Sequence, residues 1–230
     1  MILLFVNVFL LVFAHFTLCM LQIDQLPDRG ALGVFLQQRR LNGAGVEIGV
    51  QRGYYSKQIL NTWKSCTKYV LVDTWKHTAN YTDGANVDND QQEAILELAK
   101  KNTKGWSHKV EIIRNYSTLA ALQFSNNSID FVYVDARHDY CGAKEDIEAW
   151  WPKIATRGFM AGHDFLTGYQ HLKAKNVESK IFFDPKDDWT ICYDGMTVNE
   201  GAVRGAVEDF AKTHNLTVHK TMNDGPHFSW

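Results

Sequence analysis

The sequence predicts an α/β domain with a mostly parallel sheet covered by helices on both faces. Two observations lead there. Short runs rich in β-branched and aromatic residues alternate with stretches of helical apolar spacing, the pattern of successive βαβ units. Several of those runs also end at a glycine or a carboxylate, as at Gly49, Asp73, Asp135 and Asp164. In such Rossmann-like sheets the ligand sits at the carboxyl ends of the strands.

The elements follow in order. Residues 25–40 have apolar spacing that suits a lead-in helix over the sheet edge, and residues 45–50 read as a buried strand ending in glycine. A helix over 54–63 and a strand over 69–73 follow, then a helix over 90–101 and a strand over 109–113. Residues 117–124 make a short helix with Ser117 as N-cap, and residues 129–135 a fourth strand. Ala143, Ile147, Trp150, Trp151 and Ile154 recur at helical spacing within 142–154, and residues 158–164 form a fifth strand. The pattern then loosens until the amphipathic helix at 201–214. Strands over 216–221 and 226–230 bring the expected sheet to seven. One domain over 26–230 accounts for all of this.

Composition agrees. Apolar residues are 45% and charged residues 22% of 230, enough for a core of ordinary size. The net charge of −2, with no run of Lys or Arg, gives no reason to expect nucleic acid as a partner.

The loop Glu47-Ile48-Gly49-Val50-Gln51-Arg52-Gly53 joins the first strand to the first helix. Its glycines let the backbone turn sharply and let a ligand come close. It lacks the G-x-G-x-x-G spacing that admits a dinucleotide pyrophosphate, so a nicotinamide dehydrogenase is disfavoured. A single glycine pair, Gly49 and Gly53, after an acidic residue suits S-adenosylmethionine (SAM), with Glu47 placing its ammonium. Asp73, about 20 residues on, is positioned to accept from both ribose hydroxyls. Trp75 is placed to cover the adenine, and Ser117, after Asn115-Tyr116, to meet its edge. Against this, Asp73 alone is also a turn cap, and Trp75 alone is also a core residue.

A second constellation lies at Asp135-Ala136-Arg137-His138-Asp139-Tyr140, followed by Asp146, Trp150, Pro152, Arg157-Gly158 and Gly162-His163-Asp164-Phe165. With Val46-Glu47-Ile48-Gly49 and the helix from Gly201 to Phe210, these residues resemble the class I SAM-dependent methyltransferases of methyltransferase family 24. The resemblance covers residues 44–230. It implies the class I methyltransferase fold, SAM as cofactor, and carboxylates at the ends of the fourth and fifth strands.

Asp135 and Asp164 match those positions, and with His163 they form the expected metal set for Mg²⁺ or Mn²⁺. His138 and Asp135 are the expected catalytic pair, with His138 as base for an acceptor hydroxyl and Asp135 also bordering the cofactor. Arg137, His163 and Phe165 stand where some relatives carry a further ligand or base. The expected reaction is O-methylation of a small molecule or sugar. The alternatives are a relative of the same fold with other chemistry, resembling cephalosporin hydroxylases, or a non-catalytic, membrane-tethered binding domain.

Residues 1–21 are apolar and carry no Lys, Arg, Asp or Glu. They read as a signal peptide or signal anchor, which places the protein in the secretory pathway or on a membrane, or else as a hydrophobic helix packed on a cytoplasmic domain. Sequons at Asn80, Asn115, Asn126 and Asn215 agree with secretion, although Asn115 falls at the expected cofactor site. Cys19, Cys66, Cys141 and Cys192 have no zinc spacing; they read as buried apolar residues, with one disulfide among the last three as the alternative.

Overall fold

The computed structural model describes residues 20–178 and 188–230. The targeting segment expected over 1–21 lies, up to residue 19, outside the described residues.

The sheet is built from β1 (Ala44–Ile48), β2 (Lys68–Asp73), β3 (Val110–Arg114), β4 (Ile129–Val134) and β5 (Ile154–Gly162). All are parallel, in the order β3-β2-β1-β4-β5. The chain therefore leaves β1 toward one edge and returns to its other side at β4. Ligands of parallel sheets bind at such a reversal, beyond the carboxyl ends of the strands.

Alternation along the strands divides the core into two layers. Val46 and Ile48 of β1 join Val70, Val72, Val132 and Val134 on one face, under α4 (Ser117–Ala121) and α5 (Tyr140–Trp150). Tyr69, Leu71, Phe131 and Tyr133 point the other way, toward α1 (Leu32–Gln38), α2 (Tyr54–Thr62) and α3 (Asn89–Thr103). Trp63 and Trp150 are fully buried, one in each layer. Glu47 sits among the apolar residues of β1 and is only 2% exposed. After β5 come α6 (Gly168–Glu178) and α7 (Ala202–Thr213), the latter packing Val203, Ala206 and Val207 on Ala143 and Ile147 of α5.

Five strands are present among the described residues, not seven. Residues 216–221 and 226–230 do not form strands because their backbone bonds go elsewhere. Leu216 N donates to Ala211 O and Thr221 N to Ser229 O, while in the link between the two ranges Met222 N donates to Leu26 O and Asn223 N to Pro27 O. Only Trp230 pairs with β5, exchanging both bonds with Gly162 at 3.0 Å. The tail is thus fastened partly to the sheet edge and partly to the segment that precedes α1. The lead-in helix is also shorter than its apolar spacing suggests, beginning at Leu32 after two single turns at Ile23–Gln25 and Arg29–Ala31.

Candidate active site

The loop after β1 is pinched between its neighbours. Gly49 N donates to Val72 O at 2.9 Å, and Asp135 N donates to Ile48 O at 2.8 Å. Gly49 has φ of 81° and Gly53, the N-cap of α2, has φ of 70°, values that favour glycine. A methyl group on Gly49 would overlap the Asp135 carbonyl. The glycine is therefore required by the close approach of the β4 end.

This loop borders a cavity of about 610 Å³, within the range of small-molecule sites. Glu47, Gly49, Asp73, Ser117, Asp135 and His138 all line it. Glu47 accepts from the Tyr69 hydroxyl at 3.1 Å. Burial pushes its carboxyl up to about 8, so at neutral pH it is mostly uncharged.

Asp73 ends β2 and braces the loop: its Oδ2 accepts from Gln51 N and its Oδ1 from Trp75 N, both at 2.9 Å. Burial raises the Asp73 carboxyl, and these backbone bonds counter it. Asp73 also lines the cavity, where its carboxylate is within reach of a ligand. Ser117 is the first residue of α4 and not its cap; Tyr116 occupies the cap position. The Ser117 hydroxyl instead donates to Asp146 of α5, whose burial pushes its carboxyl up to about 6.

Trp75 does not reach the cavity. Its indole is fully buried in the core, and Nε1 donates to Gln51 O at 2.9 Å. A ring so enclosed has no open face for a base, so its part is to hold the loop from beneath.

The second constellation converges at the β4 and β5 ends. Asp164 is buried with φ of 56°, a left-handed conformation that Asp tolerates and that tends to occur at functional sites. His138 Nε2 lies 3.1 Å from Asp164 Oδ2 and 3.7 Å from Asp135 Oδ1. His163 Nδ1 lies 3.2 Å from Asp164 Oδ2 and 4.0 Å from Asp135 Oδ2. His227 Nδ1 lies 2.5 Å from Asp164 Oδ1. Against burial, these histidines hold the Asp164 carboxyl well below the usual range.

The donor set for a metal is Asp135, His138 and Asp164, whose ligand atoms lie within 4.8 Å of one another. His138 thus takes the place expected for His163. His138 Nε2 is buried, makes no hydrogen bond among the described residues and faces both carboxylates. A buried nitrogen left in this way beside two carboxylates fits a divalent cation.

The same geometry weighs against His138 as a base. Its Nδ1 is 2.8 Å from Asp83 Oδ2, and its ring stacks on Trp189 with centroids 4.4 Å apart. Burial opposes the imidazolium, but Tyr81, Asp83 and the two site carboxylates outweigh it and raise the His138 pKa well above its ordinary value. Burial likewise opposes the Asp83 carboxylate, yet His138 draws it down to about 2. Without a cation the facing carboxylates favour the imidazolium, and with one Nε2 is taken up as a ligand; in neither state does the ring have a free lone pair to take the acceptor's proton.

Tyr81, Asp83, His227 and Arg29 are not legible as site residues in the sequence. Tyr81 and Asp83 lie in an unpatterned loop between β2 and α3, and His227 in the tail. The sequence offers Asp187-Asp188-Trp189 and Tyr193-Asp194-Gly195 either as substrate wall or as turns: Tyr193 and Asp194 border the cavity, Trp189 stacks on His138, Asp188 caps the turn at Thr190, and Asp187 lies outside the described residues. Asp139, whose position reads as a solvated turn, is buried and caps α5 by accepting from Gly142 N at 2.9 Å. Cys141 and Cys192 form a disulfide beside the cavity, and Cys66 is buried and free.

A family model described as "Methyltransferase domain" matches residues 46–165. An uncharacterized protein of Sinorhizobium fredii, y4gI, is 27% identical over 135 residues, which is 56% of this chain and 13% of that protein. The chain thus spans 13% of the length of this curated relative.

A protein from Corynebacterium glutamicum superimposes with a TM-score of 0.55 at 15% identity, over 88% of this chain and 80% of the other. A cofactor-bound protein from MTB gives 0.53 at 13% identity, over 87% and 77%. An O-methyltransferase family protein of Burkholderia thailandensis gives 0.52 at 14% identity, over 87% and 57%. These likenesses establish the α/β fold.

Proposed function

The chain belongs to the methyltransferase domain family, and from that premise we propose that it methylates a hydroxyl of a small molecule or sugar, using SAM and a divalent cation. One observation carries this reading: Asp135 and His138, from the carboxylate–histidine cluster, line the same cavity as the glycine loop and Asp73. A methyl donor held by the loop would thus lie beside the cluster.

Glu47 would hold the ammonium of the cofactor, Asp73 its ribose hydroxyls, and Ser117 with Asp146 the adenine edge. Asp135, His138 and Asp164 would hold the cation. With one nitrogen and two carboxylates, Mn²⁺, Fe²⁺ or Zn²⁺ suits the site better than Mg²⁺. A bound cation would supply Lewis acidity, making an acceptor hydroxyl easier to deprotonate. Asp83 and Trp189 fix the ring of His138, while His163 and His227 fix Asp164. Positioning and exclusion of water supply much of the remainder, since methyl transfer needs chiefly alignment.

Calorimetry with S-adenosylhomocysteine, run with Mn²⁺ and with EDTA, tests both halves. Micromolar binding of the nucleoside is expected with and without chelator, together with separate, chelator-sensitive uptake of Mn²⁺. Absence of nucleoside binding would refute the cofactor reading.

The raised carboxyl of Glu47 adds a pH signature. An ammonium ligand favours the carboxylate, and the free carboxyl is protonated below about 8. Affinity for S-adenosylhomocysteine is therefore expected to rise from pH 6.5 to 8.5 and to level off above. Proton release on binding, read in buffers of different ionisation enthalpy, should disappear in Glu47→Gln. A pH-independent affinity would contradict the ammonium role.

The secretory expectation gains support from the Cys141–Cys192 disulfide, since such bonds persist in oxidising compartments. No helix among the described residues is long and apolar enough to cross a membrane. Asn80, Asn126 and Asn215 are exposed, whereas Asn115 is half-buried at the cavity wall. Expression of the full chain in a eukaryotic secretory host should give glycans at the first three and none at Asn115, as read by peptide mass spectrometry after deglycosylation. A glycan at Asn115 would argue against a cofactor there.

A further inference from the structure

We propose that Arg29, from the segment preceding α1, binds the carboxylate of the cofactor's amino-acid end; the assignment rests on the cofactor reading above. Arg29 lines the cavity together with Glu47, Gly49 and Asp135, and its side chain is 36% exposed there. Its Nη1 is 3.4 Å from Asp135 Oδ2, a long contact for a charged pair. Its guanidinium carbon lies 5.4 Å from the centre of the Tyr55 ring, which supports it from one side.

The residue is placed from two directions. Its backbone N donates to Asp224 Oδ2 at 2.7 Å, and its carbonyl accepts from the Tyr55 hydroxyl at 3.4 Å. Tail and α2 thus fix an arginine that lines the cavity.

The ligand chemistry follows from the pair it makes with Glu47. The Arg29 charge bears on the Glu47 carboxyl and lowers it, against the larger effect of burial. A permanent cation and a carboxyl that ionises for a cation, lining one cavity with the glycine loop, match the carboxylate and ammonium of an α-amino acid. Arginine recognises a carboxylate through two parallel N–H groups, which lysine cannot reproduce.

The test uses two ligands and calorimetry. S-adenosylhomocysteine carries the amino-acid end; 5′-methylthioadenosine keeps the nucleoside thioether and lacks it. In Arg29→Gln, affinity for S-adenosylhomocysteine should fall on the order of 10- to 100-fold while that for methylthioadenosine stays unchanged. Arg29→Lys should fall between the wild type and the glutamine variant. Unchanged affinity for S-adenosylhomocysteine in Arg29→Gln, or equal losses for both ligands, would overturn the assignment and leave the cofactor reading standing. A wild-type chain that binds neither ligand would instead remove the cofactor reading, and this assignment with it.

Discussion

Replacing Asp164 with asparagine is expected to weaken Mn²⁺ binding at least about 100-fold while leaving the affinity for S-adenosylhomocysteine unchanged. The substitution keeps the shape and removes the charge. Asp164 is buried and has His138, His163 and His227 about it, within 3.1, 3.2 and 2.5 Å. Its loss removes one carboxylate of the donor set and also the anchor that orients the histidines. Asp164 does not line the cofactor cavity, so the nucleoside should bind as before. Titration of Mn²⁺ by electron paramagnetic resonance, paired with nucleoside calorimetry, reads the two effects separately. Mn²⁺ affinity equal to that of the wild type would exclude Asp164 as a ligand.

Gly49→Ala is the second large effect. The new methyl would overlap the Asp135 carbonyl, and φ of 81° disfavours any side chain. The obstacle is backbone, so the end of β4 must move. Strain and overpacking together should cost about 3 kcal/mol, lowering Tm by roughly 6–12 °C for a chain of this size. Nucleoside binding should be lost as well, because the displaced loop and Asp135 both line the cavity. Gly105→Ala is the control, since its methyl would meet nothing within 4 Å. Scanning calorimetry of the two variants makes the comparison, and an unchanged Tm in Gly49→Ala would contradict the close approach.

The frame of the protein was legible because buried parallel strands write their burial into composition. Residues 69–73 and 129–135 announce themselves as runs of Val, Leu, Tyr and Phe ending in a carboxylate. Asp73 and Asp135 could therefore be placed at the cavity from pattern alone, and both line it. Trp75 could not, because an aromatic beside a ligand edge and an aromatic beneath a loop look alike in sequence.

The partners of the cluster were hidden for another reason. Asp83 and His138 are 55 positions apart, and His227 and Asp164 are 63 apart. The contacts of Arg29 with Asp135 and with Asp224 span even more of the chain. No local periodicity records such pairings, which arise when loops fold over the sheet end. The last two expected strands failed similarly, since Leu216 N bonds back to Ala211 O at the end of α7 and Thr221 N to Ser229 O, while the link between them is tied to Leu26 and Pro27.

Asp135 belongs to both halves of the site. Its backbone N is bonded to β1, its carbonyl rests on Gly49, and its side chain faces Arg29 and His138. In a genetic screen, substitutions at Asp73 or Glu47 and substitutions at Asp164 or His163 should sort into separate phenotypic classes. Alleles at Asp135 should be pleiotropic, scoring in both. A change at this one position, made to suit a new acceptor, is therefore inherited by both functions, whereas a change at Asp73 or at Asp164 bears on one.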